Sequence, residues 1–542
     1  MTEERTRIIY YGDNLDILRA HIATESVDLV YLDPPFKSQQ QYNYLFRTVK
    51  GAPADAQVRA FSDTWKWGPA AVATYERLME DPQIPGKVSK MIEAFHQFLG
   101  PSEMLAYLVM MTPRLLELHR VLKPTGSLYL HCDPAASHYL KLVLDTVFGP
   151  GRFRDEIVWR RYGTHSDVGQ GSKHFGRVHD ILLFYSKGDE PTWTQVFTPL
   201  DPAYVGSTYR YVDPNTGRRF TTTPLTGPGG AAKGNPVYEW KGHTRAWRYA
   251  KETMEQLDRE GRIYYSRTGY PRKRLYLDES HGVPVQSVWD DIGSLAGAHK
   301  ERLGYQTQKP LGLLKRIIQA SSNPGDLVLD PFCGCGTAQV AAEELGRSWI
   351  GIDVTYLAVD VMARRLRDHF PGISFEIKGQ PRDEEGAKAL AEKDRFQFQV
   401  WALSLIGAQA LDPDRKGADR GIDGYLPFVE WGEKHQRAVV QVKSGHVGVK
   451  ELRDLRGTLE REKAPFALLI TLEPSTEPMR REAADGGFYE VPATGEKVPR
   501  LQILTIRELL QGQRPRVPTK TPESPVQQAP RLKRTGGRQL PL

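Results

Sequence analysis

Two short loops carry the residue types that a group-transfer site needs, and the first lies near the start of the chain. It reads Asp33-Pro34-Pro35-Phe36 and directly follows the apolar run 27–32, which predicts a buried strand ending in a ligand-binding carboxylate. The prolines enforce an extended backbone and remove two N–H donors, so the Pro34 carbonyl and the Asp33 carboxylate are neighbouring acceptors. Such a pair suits an exocyclic amine, because holding both of its hydrogens frees the nitrogen lone pair to attack. The alternative is a tight strand-to-loop turn containing Pro-Pro by chance.

The second loop, residues 330–337, follows another apolar run and precedes a helical pattern. Its glycines, Gly334 and Gly336, allow a ligand to approach the backbone closely. Asp353 ends the next predicted strand, 23 residues beyond Asp330, which is the usual place for a carboxylate that accepts ribose hydroxyls. A dinucleotide site is the rival interpretation, but the loop lacks the third glycine of that fingerprint.

The elements that must position these loops are those of an alternating α/β domain. Strands are predicted at 27–32, 127–131, 180–185, 327–329 and 349–352, and helices at 104–120, 136–147, 310–322 and 356–370. The alternation stops over about 188–300, where turn signals dominate. His131 and His179 stand on apolar strands and are expected to be core histidines rather than catalytic bases.

These motifs and their order resemble the amino-group DNA methyltransferases of the β order, in which the catalytic segment precedes the cofactor segment. Residues 33–36 match the family's D-P-P-[YF] motif, residues 330–336 match its cofactor loop, and Gln308-Lys309-Pro310 matches the lead-in to the cofactor pocket. Residues 122–133 and 156–159 are similar to type III-like members. The resemblance covers most of 8–379 and implies a Rossmann-like fold with a circularly permuted motif order.

The resemblance also implies a cofactor, a substrate and a role for each matched residue. S-adenosylmethionine would supply the methyl group, and double-stranded DNA would supply a base that is flipped out of the duplex. The implied catalytic residues are Asp33, Pro34, Pro35 and Phe36, and the implied cofactor contacts are Asp330, Phe332, Gly334, Gly336, Asp353 and Lys309. The acidic first residue and aromatic last residue of the catalytic motif imply adenine N6 as the target, with cytosine N4 as the alternative. The transfer step needs no metal.

The region 188–300 occupies the place of the family's target-recognition region. Over 204–275 it holds 14 Lys or Arg against 6 Asp or Glu, interleaved with 11 aromatic residues, a mixture that suits phosphate contacts and base stacking. The candidate phosphate contacts are Lys241, Arg245, Arg248, Arg272, Lys273 and Arg274. A solvated basic face is the alternative.

Residues 394–512 are predicted to form a separate α/β domain that resembles the Mrr-type restriction-endonuclease-like fold. The matched positions are Asp423, then Gln441 and Lys443 on a neighbouring strand. In that resemblance Asp423 would bind Mg²⁺, Gln441 would offer a carbonyl oxygen and Lys443 would orient the water. A neutral Gln is a weaker ligand than Glu, and the first helix of the domain carries Gln397 and Gln399 where relatives often carry Glu. A nuclease, an inactive DNA-binding module and a dimerisation module therefore all stay open.

Composition and charge indicate the class of protein, its tail and its cellular compartment. The net charge is +7 with 40% hydrophobic residues, which is ordinary for a globular chain, and most of the excess positive charge lies in a Pro- and Arg-rich tail, 513–542, that is expected to be disordered. Three cysteines make no disulfide framework, and no signal or membrane segment is evident, so a bacterial cytoplasm is expected. The predicted organisation is a catalytic half at 1–187, a target-recognition region at 188–300, a cofactor half at 301–379, a linker at 380–393, an endonuclease-like domain at 394–512 and the tail.

Three functional hypotheses follow. The first is a site-specific DNA adenine methyltransferase fused to a Mg²⁺-dependent endonuclease, as in restriction–modification, and a homodimer is one assembly left open. The second keeps methylation and makes the C-terminal domain an inactive DNA-binding module. The third is a DNA-binding regulator with a non-functional methyltransferase fold, against which the intact motif at Asp33 argues. RNA is a further alternative substrate.

Overall fold

The computed structural model describes residues 5–35, 66–163, 173–295, 301, 308–410, 421–430, 434–491 and 495–518. The chain forms two compact units: one is built from Met1–Thr194 and Ser287–Leu542, and the other is Gln195–Gln286. The second unit falls inside the predicted target-recognition region and is narrower than 188–300. Among the described helices, none combines the length and hydropathy that a bilayer crossing needs.

A nine-stranded sheet organises the first part of the larger unit. Its strands are β1 (Arg7–Tyr11), β2 (Val27–Leu32), β3 (Leu122–Cys132), β4 (Phe153–Arg160), β5 (His179–Ser186), β14 (Val288–Trp289), β15 (Leu327–Asp330), β16 (Ser348–Asp353) and β17 (Glu376–Lys378). The spatial order is β14-β4-β5-β3-β2-β15-β16-β1-β17. All neighbouring pairs are parallel except those that β5 makes with β3 and β4. Mostly apolar runs such as Val27–Leu32, which is buried at every position and is interrupted only by Asp28 in an ion pair with Lys123, are typical of parallel strands covered on both faces.

Helices connect and cover these strands. They are α1 (Asn14–His21), α2 (Pro69–Glu80), α3 (Gly86–Leu99), α4 (Glu103–Val121), α5 (Pro134–Phe148), α8 (Leu311–Ser321), α9 (Thr337–Glu344) and α10 (Tyr356–His369). Side-chain caps fix several starts: Ser102 caps α4, Asp133 caps α5 and Thr355 caps α10, each accepting a backbone N–H that would otherwise be unpaired. The main core lies between α1–α5 and β1–β3. The α/β fold class predicted from the alternating pattern is confirmed.

The smaller unit is mostly antiparallel. Its elements are β6 (Phe197–Thr198), α6 (Pro202–Thr208), β7 (Tyr211–Val212), β8 (Arg219–Pro224), β9 (Val237–Trp240), β10 (His243–Ala246), α7 (Lys251–Arg259), β11 (Ile263–Tyr265), β12 (Pro271–Tyr276) and β13 (Val283–Pro284). A four-stranded sheet has the order β11-β12-β8-β7. Leu225, Trp240, Trp247, Met254 and Ile263 form its small core.

The C-terminal part of the larger unit carries a second α/β layer. Its elements are α11 (Glu384–Lys393), α12 (Arg395–Leu405), β18 (Gln409–Ala410), β19 (Gly424–Glu430), β20 (Lys434–Lys443), α13 (Val449–Arg461), β21 (Ala467–Thr471), α14 (Glu477–Ala484), β22 (Phe488–Glu490), β23 (Lys497–Pro499), β24 (Leu501–Thr505) and α15 (Ile506–Leu510). The main sheet has the order β18-β19-β20-β21-β24. The segment 380–393, predicted as a linker, contains α11.

The first six residues of the predicted tail, 513–518, belong to the described part of the chain. Arg514 donates to the Leu509 carbonyl, and the Arg516 backbone N–H donates to Gln502 Oε1 at 2.9 Å. Residues 513–518, at the start of the predicted tail, are joined to the domain by these two bonds. Residues 519–542 lie outside the described residues.

Candidate active site

Three carboxylates stand at one edge of the nine-stranded sheet. Asp33 comes directly after β2, Asp330 is the last residue of β15, and Asp353 is the last residue of β16. β15 pairs in parallel with both β2 and β16, and neighbouring strands lie about 4.8 Å apart. The two loops singled out from the sequence therefore meet at the carboxyl ends of adjacent strands, where α/β sheets bind ligands.

A lysine joins the two halves of the site. Lys309, just before α8, donates from Nζ to Asp33 Oδ2, although the two residues stand 276 positions apart in the chain. Both side chains are largely buried, so this ion pair is only weakly screened by solvent. The sequence resemblance implies a cofactor contact for Lys309; the structure places it on the carboxylate of the catalytic motif. Pro34 is buried and Pro35 half-buried beside it, whereas Phe36 lies outside the described residues.

The loop after β15 is held in a tight conformation. Asp330 is buried, and its Oδ1 accepts the Phe332 N–H at 3.0 Å. Gly336 has a φ of +75°, and a Cβ there would lie 2.5 Å from Met362 Cγ, so only glycine fits this start of α9. Gly334 has a φ of +49° and donates its N–H to Asp353 Oδ2 at 3.0 Å, which ties the loop to the next strand.

Asp353 is half-buried and organises the turn that begins α10. Its Oδ1 accepts both the N–H and the hydroxyl of Thr355, at 2.9 and 2.8 Å. Burial raises the pKa of Asp353, and burial raises that of Asp330 well above its ordinary value, with the charges of Asp33 and Asp353 adding to the effect. A carboxylate has about four acceptor positions, so Asp353 retains capacity for a hydroxyl. The acidic edge fits a ligand that combines ribose hydroxyls with positive charge, as S-adenosylmethionine does.

Two polar residues that the sequence reasoning missed support the cofactor loop. Asn14 Nδ2 donates to the Pro331 carbonyl at 2.8 Å, and Arg114 Nε donates to Asn14 Oδ1 at 2.6 Å. On the other side, Arg365 Nη1 donates to the Cys335 carbonyl and to Thr337 Oγ1. The polar residues 12–14 follow the apolar residues 8–11 and were a usable signal for Asn14, although no strand was predicted there; Arg365, inside an ordinary helical pattern, carried none.

A buried chain of polar side chains begins at Tyr31, two residues before Asp33. The Tyr31 hydroxyl contacts His131 Nδ1 at 3.0 Å, and His131 Nε2 contacts Asp180 Oδ2 at 3.1 Å. Burial raises the pKa of Asp180, but the hydrogen bond from His131 and the charge of Arg161 outweigh it and leave that pKa below the ordinary value. The expectation of a core histidine is confirmed for His131, which is fully buried, whereas His179 is only half-buried.

In the smaller unit, the structure separates the candidate phosphate contacts into two groups. Arg274 pairs with buried Asp213, and Arg272 bonds to Thr222, so both hold β12 in place. A hydrogen bond from Tyr276 lowers the pKa of Asp213 to about 2.

Of the remaining candidates, Lys241 is exposed and Lys273 is half-buried. Lys241 forms an ion pair with Asp258, and Lys273 donates to the Tyr249 hydroxyl. Arg245 and Arg248 are exposed, and no carboxylate of the described residues forms an ion pair with either. They are therefore the two candidates that stay available for phosphate.

The three nuclease-like residues are also brought together. Asp423 precedes β19, and Gln441 and Lys443 lie two apart on the antiparallel partner β20, hence on one face. The Asp423 carboxylate accepts the Val442 N–H at 2.6 Å, and Gln441 Oε1 is buried without a hydrogen-bond partner among the described residues. Across the described part of the chain, no group of three or more His, Cys, Asp or Glu could hold a metal.

Comparison with known proteins decides the family. Residues 27–363 match the N6/N4 methyltransferase family model, described as DNA methylase. The chain belongs to this family. Its C-terminal residues 396–511 match a second model, described as NACHT-associated inactive Restriction Endonuclease 1, so the restriction-endonuclease-like nature of this domain is confirmed.

Curated relatives cover different shares of this chain. It is 34% identical over 271 residues, or 48% of this chain and 57% of the relative, to type II methyltransferase M.EcaI of Enterobacter cloacae. It is 26% identical to the StyLTI Mod subunit, a type III restriction-modification enzyme of Salmonella typhimurium, covering 62% of this chain and 49% of the relative. It is 25% identical to the DNA adenine methyltransferase YhdJ of Escherichia coli, covering 66% of this chain and 82% of the relative. The chain thus spans about half the length of the first two relatives.

Solved structures are more distant. A putative DNA modification methylase from Thermus thermophilus, crystallised with S-adenosyl-L-methionine, aligns with 15% identity and a TM-score of 0.33, covering 69% of this chain and 98% of the other. The cytosine-N4-specific PvuII DNA methyltransferase aligns with 14% identity and a TM-score of 0.33, covering 73% and 93%.

Proposed function

We propose that the protein transfers a methyl group from S-adenosylmethionine to the N6 amino group of adenine in double-stranded DNA. The observation that carries this proposal is the meeting of Asp33, Asp330 and Asp353 at the ends of three adjacent strands. One segment presents acceptors for an amine, and the neighbouring loop presents acceptors for a ribose and a cation. A donor and an acceptor held side by side are what a direct transfer between them requires.

The acceptor side of the site positions the target base. The Asp33 carboxylate and the Pro34 carbonyl accept the two amino hydrogens, and the sequence motif assigns stacking on the base to Phe36. Extracting the base from the duplex costs a few kcal/mol. Lys309 fixes the Asp33 carboxylate in position through their ion pair.

The cofactor side is formed by the second loop. Asp353 accepts the ribose hydroxyls, while Asp330, Phe332, Gly334 and Gly336 surround the methionine end. S-adenosylmethionine supplies an electrophilic methyl group on its sulfonium. The raised pKa values of Asp330 and Asp353 fall when the cofactor brings positive charge beside them.

The smaller unit supplies DNA contacts in this proposal. Arg245 and Arg248 are exposed on or beside the β9–β10 hairpin and make the phosphate contacts. Backbone contacts of this kind position a protein on DNA without reading sequence.

For the C-terminal domain we propose DNA holding without cleavage. One observation favours this over Mg²⁺-dependent cleavage: the neutral Gln441 stands at a matched position where a carboxylate would be the better Mg²⁺ ligand. The matching family description also names an inactive endonuclease.

Methylation is tested with radiolabelled S-adenosylmethionine and duplex DNA. Asp33→Asn keeps the size of the side chain but removes one charge and one acceptor, and we expect the rate to fall about 100-fold or more. Asp16→Asn, at an exposed position of α1, is the matched control and should match the wild type. No transfer by the wild-type protein would reject the proposal.

The target base is identified by sequencing with modified-base detection on DNA from cells that express the protein. N6-methyladenine at one recurring motif is the expected result, and N4-methylcytosine would correct the base. Running the labelled assay on RNA as well as DNA tests the alternative polymer.

Cleavage is tested on supercoiled plasmid with Mg²⁺. The wild type, Asp423→Ala and Lys443→Ala should all leave the plasmid supercoiled, while a gel-shift assay shows DNA bound. Nicking by the wild type that both substitutions abolish would show an active nuclease instead.

A further inference from the structure

The first helix of the endonuclease-like domain reaches the cofactor half. α12 packs against α10, the helix that begins three residues after Asp353. Gln397 of α12 accepts the Tyr356 N–H on Oε1 at 2.7 Å and is only 4% exposed. The first N–H groups of a helix have no partner within it, so a residue of the next domain completes this helix start.

The same tyrosine is held at its other end. The Tyr356 hydroxyl donates to Gln380 Oε1 at 3.0 Å and accepts from Ser404 Oγ, also on α12, at 3.2 Å. Its ring lies edge-on to Tyr11, with 5.5 Å between ring centroids. Tyr356 is therefore bonded to α12 at both its backbone and its hydroxyl.

These contacts are continuous with the cofactor carboxylate. Tyr356 follows Thr355, whose N–H and hydroxyl both donate to Asp353. Tyr11 pairs with Asp353 between β1 and β16, and burial followed by the charge of Asp394, the cap of α12, raises the pKa of Tyr11. A displacement of α12 therefore changes the environment of Tyr356 and, through the adjacent Thr355, that of Asp353.

We propose that Gln397 is a positioning residue of the cofactor site, so that cofactor binding and docking of the endonuclease-like domain stabilise each other. The proposal rests on the proposed use of S-adenosylmethionine. By linkage, the factor by which docked α12 improves cofactor affinity equals the factor by which the cofactor improves docking. Gln397 also stands on the helix where nuclease relatives often carry Glu, and here it contacts the methyltransferase part instead.

The test uses full-length protein and a matched pair of substitutions. Gln397→Met removes the acceptor at nearly constant volume, Gln397→Glu retains an acceptor, and Gln399→Met is the control on the same helix. Isothermal titration with S-adenosylmethionine should show about tenfold weaker binding for Gln397→Met, near wild-type binding for Gln399→Met, and substantial recovery for Gln397→Glu. The KM for the cofactor should rise while kcat at saturation stays unchanged.

The reciprocal effect is measured by hydrogen exchange. Saturating S-adenosylhomocysteine should slow amide exchange across residues 395–405 in the wild type and in Gln399→Met, but not in Gln397→Met. Unchanged exchange in the wild type would overturn the proposal, even if Gln397→Met failed to fold, as would unchanged cofactor affinity in a folded Gln397→Met. If the wild type bound no cofactor, the proposed function itself would fail, which is a separate result of the same titration.

Discussion

Lys309 donates to Asp33, and its charge also opposes the burial that raises the pKa of Asp330. The charge of Lys309 therefore stabilises the ionised forms of two of the three carboxylates, Asp33 and Asp330. The arrangement explains how like charges coexist in a buried pocket, because their repulsion is relieved by a fixed cation in the free protein and by the cofactor's positive groups in the complex.

Replacing this cation should change cofactor binding at the acidic end of the pH range. In Lys309→Met the carboxyl of Asp330 holds its proton to higher pH, so cofactor affinity should begin to fall at a higher pH than in the wild type. Lys309→Arg keeps the charge and should retain most of the wild-type profile. Titrations of S-adenosylmethionine across pH measure both, and superimposable profiles for Lys309→Met and the wild type would contradict this role.

The wild-type protein should itself show pH-dependent binding. Burial raises the pKa values of Asp330 and Asp353 above the ordinary 3.8, and a cationic ligand favours their ionised forms. Affinity for S-adenosylmethionine should therefore fall as pH is lowered through these raised values. The sign for stability is opposite: the folded free protein binds these protons more tightly than the unfolded chain, so ligand-free stability falls as pH rises through the same window. Calorimetry at a series of pH values from the ordinary 3.8 upward checks the affinity, and a flat profile would be inconsistent with ionisation on binding.

At the scale of elements, the strands and loops of the site could be predicted from the sequence, but the side chains that hold these loops in place could not. The strands that end at the three carboxylates are mostly apolar runs, and the two loops carry recognisable motifs, so both could be found from the sequence; β1, which pairs with β16, was not predicted. The bonds of Asn14 to Pro331 and of Gln397 to Tyr356 join residues far apart in sequence through common side chains. The local polar run marks Asn14, but no local pattern identifies the partner in either contact, since the partner depends on which helix packs on which strand.

The turn that begins α9 offers a test of local packing. Gly336 and Gly346 have nearly equal φ angles, +75° and +76°, but a Cβ would meet Met362 only at Gly336. Gly346→Ala should cost about 1 kcal/mol from backbone strain alone, while Gly336→Ala should cost about 1–3 kcal/mol more from overpacking and should weaken cofactor binding. Urea unfolding of both variants measures the difference, and equal losses would show that the contact with Met362 adjusts freely.

Two arginines of the smaller unit, Arg245 and Arg274, are expected to have different roles, one in DNA binding and the other in stability. Arg245→Gln removes an exposed charge and should lower DNA affinity and the salt slope of binding by about 1, with little change in stability. Arg274→Gln leaves Asp213 buried without its cation and should destabilise the unit by about 3 kcal/mol. Fluorescence anisotropy at several salt concentrations and thermal unfolding separate the two effects. An unchanged salt slope in Arg245→Gln would remove this residue from the DNA contacts.

At the scale of the whole molecule, the chain consists of two compact units, and all three carboxylates of the candidate site belong to the larger one. The endonuclease-like layer belongs to that same unit, in keeping with the bonds between α10 and α12. A ligand stabilises only the cooperative unit that binds it.

Cofactor should therefore stabilise the two units unequally. At 100 times its dissociation constant, S-adenosylhomocysteine should add about 2.7 kcal/mol to the larger unit and leave the transition of the smaller unit, Gln195–Gln286, in place. Differential scanning calorimetry with and without the ligand resolves this. An equal upward shift of both transitions would show that the units unfold as one.

The pairing of β2 with β15 sets a condition on synthesis of the chain. Leu29 and Val30 align with Val328 and Leu329, so the open edge of an early, wholly buried strand waits for a partner translated about 300 positions later. At ribosomal speeds of about 5–20 residues per second, that interval is about 15–60 s. During this interval the nascent chain exposes an unpaired strand edge to its neighbours, so we expect aggregation to compete with folding most strongly before β15 is synthesised.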